Sequence, residues 1–383
     1  VMTQHSRQQI QKTIELKGHF IDSLTFSKVL DTVTDHGARF LLDELEIGAS
    51  RQDFSYARIT IEADDNETLE TVVSAIQPHI EKTPVHAETR VGIQRLPVSP
   101  LGRPEVPKIL MCPPDYFTVE YAINPWMEKA MASGGQSGAQ QAFCDVNLAR
   151  KQWDALYQAI TEKAGAEVHV LDPADGLPDL VFTANAAFVY GDKAIIAHYK
   201  FEERQGEEPL CEKWFADHGY QTFTMPDGIT FEGAGDALIW QDRVFAGYRT
   251  RTDLASHSFI TAQTGLPVLS LELISQHFYH IDVCICPLYD GHFLYYPGAF
   301  DQYGQKVIQA NVPADKLIPV TAEEAEHFAC NAVNINDTII FNQQTTPRLH
   351  DELTSRGFKV IQLDMSEFLK SGGSCKCLTL RIG

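Results

Sequence analysis

The 383-residue chain carries two different patterns of hydrophobic and polar positions. Residues 10–96 read as a small α/β unit. The stretch 14–22 is strand-like, and 26–36 places Val29, Leu30 and Val33 at helical spacing before Gly37. Residues 40–47 and 55–63 follow as strands, the second rich in strand formers (Tyr56, Ile59, Ile61). Residues 68–80 predict a second helix with Leu69, Val72, Val73 and Ile76 on one face, and 85–96 a last strand. The order βαββαβ is the ferredoxin-like arrangement. Residues 97–107, with prolines at 97, 100 and 104, read as a linker.

From Lys108 onward the pattern repeats: a hydrophobic strand with polar residues at its end, a hairpin, a helix, then a short strand. The first unit has strands at 109–111 and 167–171 with a helix at 148–163. The second has 180–182, a turn at Gly191-Asp192, a helix near 210–217 and a strand at 220–224. The third has 229–231, a turn at Gln241-Asp242, a helix near 254–262 and a strand at 268–271. The fourth has 280–285, a turn at Asp290-Gly291, a helix near 302–309 and a strand at 317–320. The fifth has 332–335, a turn at Asn336-Asp337, a helix near 347–356 and a strand at 359–363. Residues 374–380 return as a final strand that closes a ring onto the first unit. Five ββαβ units in a ring make a closed α/β propeller over 108–383, with a central channel where polar residues at equivalent strand ends converge.

Composition narrows the chemistry. Lys and Arg total 31 against 51 Asp and Glu, a formal charge of −20, which argues against nucleic acid or an anionic membrane as partner. No apolar run reaches the roughly 18 residues a membrane helix needs, and the first residues carry no signal-peptide core, so a cytoplasmic setting is expected. The eight cysteines are too sparse for a disulfide scaffold, and no histidine stands at zinc-finger spacing to either C-x-C pair, so free thiols and no metal are expected. Self-association into a homo-oligomer is left open by the sequence.

The segments Asp179-Leu-Val-Phe-Thr-Ala-Asn185, Phe231-Glu-Gly-Ala-Gly-Asp236, His280-Ile-Asp282 and Gly372-Gly-Ser-Cys-Lys-Cys-Leu-Thr379 fall at corresponding places in successive units. As an ordered set they closely resemble the guanidine-modifying superfamily of arginine deiminases, dimethylarginine hydrolases and amidinotransferases. The resemblance implies the pentein fold, the five-bladed ββαβ propeller also reached by counting repeats. It implies Cys377 as nucleophile, with Cys375 the competing thiol and a buried core cysteine the plain alternative. Cationic neighbours such as His280, or the substrate itself, are expected to lower the thiol pKa. His280 corresponds to the general acid/base, with His277 a nearby decoy. On a strand, Asp282 would share the face of His280. Glu232 corresponds to the carboxylate that grips a guanidinium, aided by Asp282. Arg204 and Arg251 correspond to holders of the substrate α-carboxylate, Asn124 to a residue bordering the substrate, and Asp236 to one that also fixes the Gly-rich turn.

Asn185 departs from arginine deiminases, which carry Asp there. With Tyr121-Ala-Ile-Asn-Pro-Trp-Met127 it resembles the arginine dihydrolases of cyanobacteria, implying L-arginine as substrate and L-ornithine, carbon dioxide and two ammonia as products, without metal or organic cofactor. A deiminase or dimethylarginine hydrolase stopping at citrulline, an amidinotransferase, and a non-catalytic arginine sensor are the alternatives. Residues 17–24, 46–48 and 55–58 are similar to the leading, lysine-ketoglutarate-reductase-like (LOR/SDH) domain of archaeal ornithine cyclodeaminases. No Gly-x-Gly-x-x-Gly fingerprint follows a strand, so NAD binding is not expected.

Overall fold

The structure, a computed structural model, describes residues 10–18, 25–46, 55–81, 106–134 and 144–383. The first three segments form one sheet and two helices. Strands Ile10–Gly18 and Arg39–Glu46 both pair antiparallel with the central strand Ser55–Ala63. The first strand starts four residues earlier than its hydrophobic run suggests. Helices Thr25–Asp35 and Asn66–Glu81 cover one face, burying Val29, Leu30, Val33, Leu69, Val72 and Ile76 against Leu16, Ala57, Ile59 and Ile61. The strand expected at 85–96 and the proline-rich stretch after it lie outside the described residues. The order first–third–second strand, with the first at one edge, is that of a split βαβ unit.

The described residues of 106–383 carry five three-stranded sheets. In the second blade, Ala187–Tyr190 pairs antiparallel with Lys193–Ile196, which pairs parallel with Gln221–Phe223 beyond the helix Glu208–Asp217. The same connectivity recurs at Ala237–Trp240, Arg243–Tyr248 and Val268–Glu272, at Ile285–Pro287, Phe293–Tyr295 and Leu317–Pro319, and at Val333–Ile335, Thr338–Asn342 and Lys359–Leu363. The middle strands are buried on both faces, hence their continuous apolar text, as in Val244, Phe245, Ala246 and Ile339, Ile340, Phe341. The first blade is composite. Lys108–Met111 pairs parallel with Glu167–Val170 and antiparallel with Leu380–Arg381 from the other end of the chain, closing the ring.

Several expected strands are turns. Residues 180 and 181 lie in a 3-10 turn Pro178–Val181 that Phe182 ends, 281–283 lie in another, and 374–379 are irregular, with strand only at Leu380–Arg381. Residues 229–231 contribute a single bridge, Phe231 to His198. In each case the apolar side chains are buried near the ring's centre, so the run looks like a strand although its backbone does not ladder.

The N-terminal sheet packs on the third and fourth blades. Phe40 stacks on Tyr303 with centroids 6.0 Å apart, and buried Glu62 accepts from Arg243 Nη2 at 3.1 Å. A cavity of about 460 Å³, lined by Phe26, Phe40 and Leu42 on one side and Tyr248, Leu269 and Tyr303 on the other, remains at the joint.

Candidate active site

The turns that replaced the expected strands build the site. Counted back from the first strand of blades two to five, and from Leu380 for the composite blade, the site residues recur at like offsets. Five residues before stand Glu232 and His280, three before stand Asp282 and Cys377, and two before stand Asn185 and Asn331. Pseudo-fivefold geometry therefore brings together side chains up to 190 or so positions apart.

A cavity of about 300 Å³ opens among them, lined by Cys377, His280, Asn185, Arg204, Arg251, Asn124, Asp179, Tyr279, Ser371 and neighbouring apolar groups. Glu232, Asp236 and Asp282 lie behind this wall and are fully buried. Cys377 lines the cavity whereas Cys375 does not, which separates the two candidate thiols by position. Its Sγ lies 3.4 Å from Asp282 Oδ2 and accepts from Asn331 Nδ2 at 3.0 Å. Burial, reinforced by the Asp282 carboxylate, pushes the Cys377 thiol well above its usual range, against the bonds from Ser374 and Asn331 and the charge of Lys376. The expectation that His280 lowers this pKa is corrected: His280 Nε2 is turned to Glu232 Oε2 at 2.7 Å. Nor do His280 and Asp282 share a strand face. His280 is extended and Asp282 sits in the 3-10 turn Ile281–Val283.

Glu232 is saturated in this state. Burial opposes its charge, but Arg251 and His280 outweigh that and hold its carboxyl well below the usual range. Arg251 Nη1 lies 3.2 Å from Oε2, its Nη2 donates to the Ile123 carbonyl, and its guanidinium sits between the Phe201 and Tyr279 rings at 4.6 and 4.8 Å. Arg204 is also committed. Nε and Nη2 donate to the two oxygens of buried Glu207, both at 2.8 Å, and Nη1 donates to Asn185 Oδ1 at 3.0 Å. Asn185 Nδ2 donates in turn to the Glu232 carbonyl, so its amide orientation is fixed from both ends. Gly235 makes room for it: a Cβ there would collide with Asn185 Nδ2.

Asn124, which lines the cavity, and Asp236, which does not, both also make structural contacts. Asn124 caps the helix Pro125–Gly134, its Oδ1 accepting from Trp126 and Met127 and its Nδ2 donating to the Ser371 carbonyl. Asp236 accepts from Thr252 Oγ1 and the Ile281 amide and lies outside the cavity lining. His277 pairs with Glu326 and stacks on Trp126, away from the lining. Gly372 and Gly373 behave as expected for a close backbone approach, since a Cβ on Gly373 would meet Phe182 at 2.5 Å.

Sequence reasoning missed Asp179 and Asn331. Asp179 accepts from Tyr121 through Oδ2 at 2.7 Å, while its Oδ1 is buried without a partner; Asp282 Oδ1, Ser371 Oγ and Ser374 Oγ share that condition. Four of the seven such atoms among the described residues thus gather at this site, as a ligand-binding centre requires. Asp179 heads a segment already singled out. Asn331 could have been found from its offset, the same as that of Asn185.

The family model for N,N-dimethylarginine dimethylhydrolase (eukaryotic) matches residues 114–383. The chain belongs to this dimethylarginine dimethylhydrolase family. A second model, the LOR/SDH bifunctional enzyme conserved region, matches residues 11–97. Among the family's relatives, the bifunctional arginine dihydrolase/ornithine cyclodeaminase ArgZ of Synechocystis sp. is 45% identical over 72% of this chain, which spans only 37% of that protein's length. The N(G),N(G)-dimethylarginine dimethylaminohydrolase of Mycobacterium tuberculosis is 38% identical over 74% of this chain and 89% of its own. The crystal structure of the N-terminal domain of ArgZ bound to product superposes with a TM-score of 0.68 at 44% identity, covering 73% of this chain and 98% of that one. The five-bladed propeller reached from the repeats, and the pentein fold implied by the motif resemblance, are thereby established.

Proposed function

We propose that this chain hydrolyses L-arginine to L-ornithine, carbon dioxide and two ammonia by covalent catalysis at Cys377. The observation that carries the proposal is one cavity joining a thiol, an acid/base histidine and a neutral, fixed amide, Asn185. The likeness to ArgZ supports it. Arginine's α-ammonium suits the unpaired oxygen of buried Asp179, and its α-carboxylate suits Arg251. Binding then exchanges partners: the substrate guanidinium takes over Glu232 as Arg251 turns to the carboxylate.

The Cys377 sulfur attacks the guanidino carbon while its proton passes to Asp282, 3.4 Å away. The cationic substrate favours this ionisation, which burial alone opposes. His280 protonates the departing ammonia and then takes a proton from water adding to the thiouronium carbon. At that point a deiminase expels sulfur and releases citrulline. Here a second ammonia leaves instead, and a second water frees Cys377 from the thiocarbamate. The resulting carbamate falls to ornithine and carbon dioxide. Two waters enter and two ammonia leave, so atoms balance, and these side chains with water suffice for each step.

Incubation with guanidino-labelled arginine tests the reading. Two ammonia per ornithine and no free citrulline are expected. One ammonia per citrulline makes the chain a deiminase, and preferential release of methylamines from methylated arginine makes it a dimethylarginine hydrolase like the mycobacterial relative.

A further inference from the structure

One buried side chain outside the expected set makes five hydrogen bonds around the reacting sulfur. Asn331 follows the short helix Ala322–Glu326 and is fully buried. Phe328, in the left-handed region at φ 60°, turns the chain so that the Asn331 amide bonds back to the Phe328 carbonyl. Asn331 Oδ1 accepts from the backbone amides of Ser374, Lys376 and Cys377 at 3.1 to 3.2 Å. Nδ2 donates to the Asp282 carbonyl at 3.2 Å and to Cys377 Sγ at 3.0 Å. The amide's donors and acceptor are all engaged, an arrangement no carboxylate or hydroxyl of similar size can reproduce.

Resting on the reading of Cys377 as nucleophile, we propose that Asn331 is the positioning residue of this thiol: it fixes the 374–377 loop and donates the hydrogen bond that stabilises the thiolate. The two halves of its amide do separate jobs. Oδ1 gathers three amides of an irregular segment that has no ladder of its own. Nδ2 acts on the sulfur. In the thiol form Sγ–H points to Asp282 Oδ2 and the Asn331 N–H meets a neutral lone pair. When the S–H bond breaks, the proton binds Asp282, the electron pair stays on sulfur, and the N–H···S contact becomes charge-assisted. A bond stronger in the reactive form than in the resting form favours the reactive form.

Asn331→Asp separates the two jobs, because an aspartate keeps the acceptor for the loop and removes the donor from the sulfur. The measurement is the rate of iodoacetamide alkylation against pH, with the modified peptide identified by mass spectrometry, in the full chain. The expected result is at least a tenfold slower labelling of Cys377 at pH 8, with the pH profile displaced upward by about one to two units. Turnover should fall in kcat with KM little changed, in a chain that stays folded at the assay temperature although its thermal midpoint drops with the loss of the bond to the Asp282 carbonyl. Labelling within twofold of wild type, at the same pH dependence, overturns the proposal. Should the aspartate variant not fold, Asn331→Ser, too short to reach the sulfur, is judged by the same rates. Wild-type labelling at Cys375 instead of Cys377 sinks the nucleophile assignment itself, an outcome distinct from failure of the Asn331 role.

Discussion

At the residue scale, the charged side chains of the site are paired with one another. Arg251 sits on Glu232, the carboxylate that the proposed function assigns to the substrate guanidinium, and on that reading it leaves only if something else takes its charge. A carboxylate on the substrate supplies that. Agmatine, which is arginine without its carboxylate, should therefore be turned over with kcat/KM lower by a factor of about a hundred or more, for the loss of one charge-assisted pair and an unrelieved Arg251–Glu232 contact. Equal turnover of agmatine and arginine would remove Arg251 from substrate recognition. On the proposed reading, Asn185 is the residue expected to govern the second hydrolysis. Its Oδ1 is bonded to Arg204 and its Nδ2 to the Glu232 carbonyl, so Asn185→Asp keeps the first bond, loses the second, and adds a carboxylate beside a group that has become neutral after the first ammonia leaves. The cost of roughly 1 to 3 kcal/mol, at about tenfold per 1.4 kcal/mol, lets release outrun that second attack. Citrulline should appear as a major product of the variant, measured as the citrulline-to-ornithine ratio at saturating arginine. Ornithine alone, at near-normal rate, would take from Asn185 its control of the second step. Cys377, His280, Glu232 and Asn185 were legible because each is a polar or reactive residue inside a repeated text. Asp179 and Asn331 were not, since their partners, Tyr121 and Cys377, lie dozens of positions away and only the ring closure brings them near.

At the element scale, hairpins and helices were read well and the segments leading into each blade were not. The hairpin turns have left-handed residues where expected: Gly191 at φ 62°, Asn336 at 52°, and Gln241 at 56°, where neither glycine nor asparagine eases the conformation. The failures at 180–182 and 281–283 share a cause. Periodicity reports burial, and these residues are buried by facing the centre of the ring, while their backbones bond within their own turn, as Phe182 does to the Asp179 carbonyl, or to a side chain of another blade, as Ile281 does to Asp236. The third blade also contains a pH-dependent tie. His257, on the helix Ala255–Thr264, is buried between Ser270 Oγ at 2.7 Å and the Gly247 carbonyl at 3.3 Å, linking helix to strands. Burial lowers its pKa to about 4, against the bond to Gly247. The unfolded histidine titrates near 6.5, so the folded state excludes a proton that the unfolded state binds. The contribution is complete above that value and is lost as pH falls toward about 4, amounting to roughly 3 kcal/mol. His257→Gln should therefore flatten the decline in thermal midpoint between pH 6.5 and 4, read from melting curves across that range. A variant whose midpoint falls as steeply as wild type would show that His257 is not the group responsible.

At the scale of the whole molecule, the question is how far the propeller depends on the unit before it. Every residue lining the candidate cavity lies beyond position 120, and the ring closes on itself through Leu380–Arg381 and Lys108–Met111. The N-terminal sheet nevertheless shares a buried ion pair with it. Arg243 donates to Glu62 at 3.1 Å, to Asp242 at 2.9 Å and to Asn311 at 2.8 Å, and both Arg243 and Glu62 are buried. Two ways of removing Glu62 should differ in kind. In the full chain, Glu62→Ala leaves the Arg243 charge buried with one fewer partner, at a cost of roughly 3 kcal/mol, so the thermal midpoint should fall clearly. In a shortened chain beginning at Val106, the whole cover is absent, water reaches Arg243, and no charge is stranded. What is lost is apolar contact: Tyr248, Leu269 and Tyr303, which face Phe26, Phe40 and Leu42 across the joint, become exposed. That chain is expected to consume arginine at a rate close to that of the full protein, with reduced solubility at high concentration. The two thermal midpoints and the two rates are the measurements. A folded, soluble shortened chain with no turnover at any arginine concentration would mean that the N-terminal unit completes the site rather than covering one flank of it, and an unchanged midpoint in Glu62→Ala would mean that Asp242 and Asn311 alone satisfy Arg243.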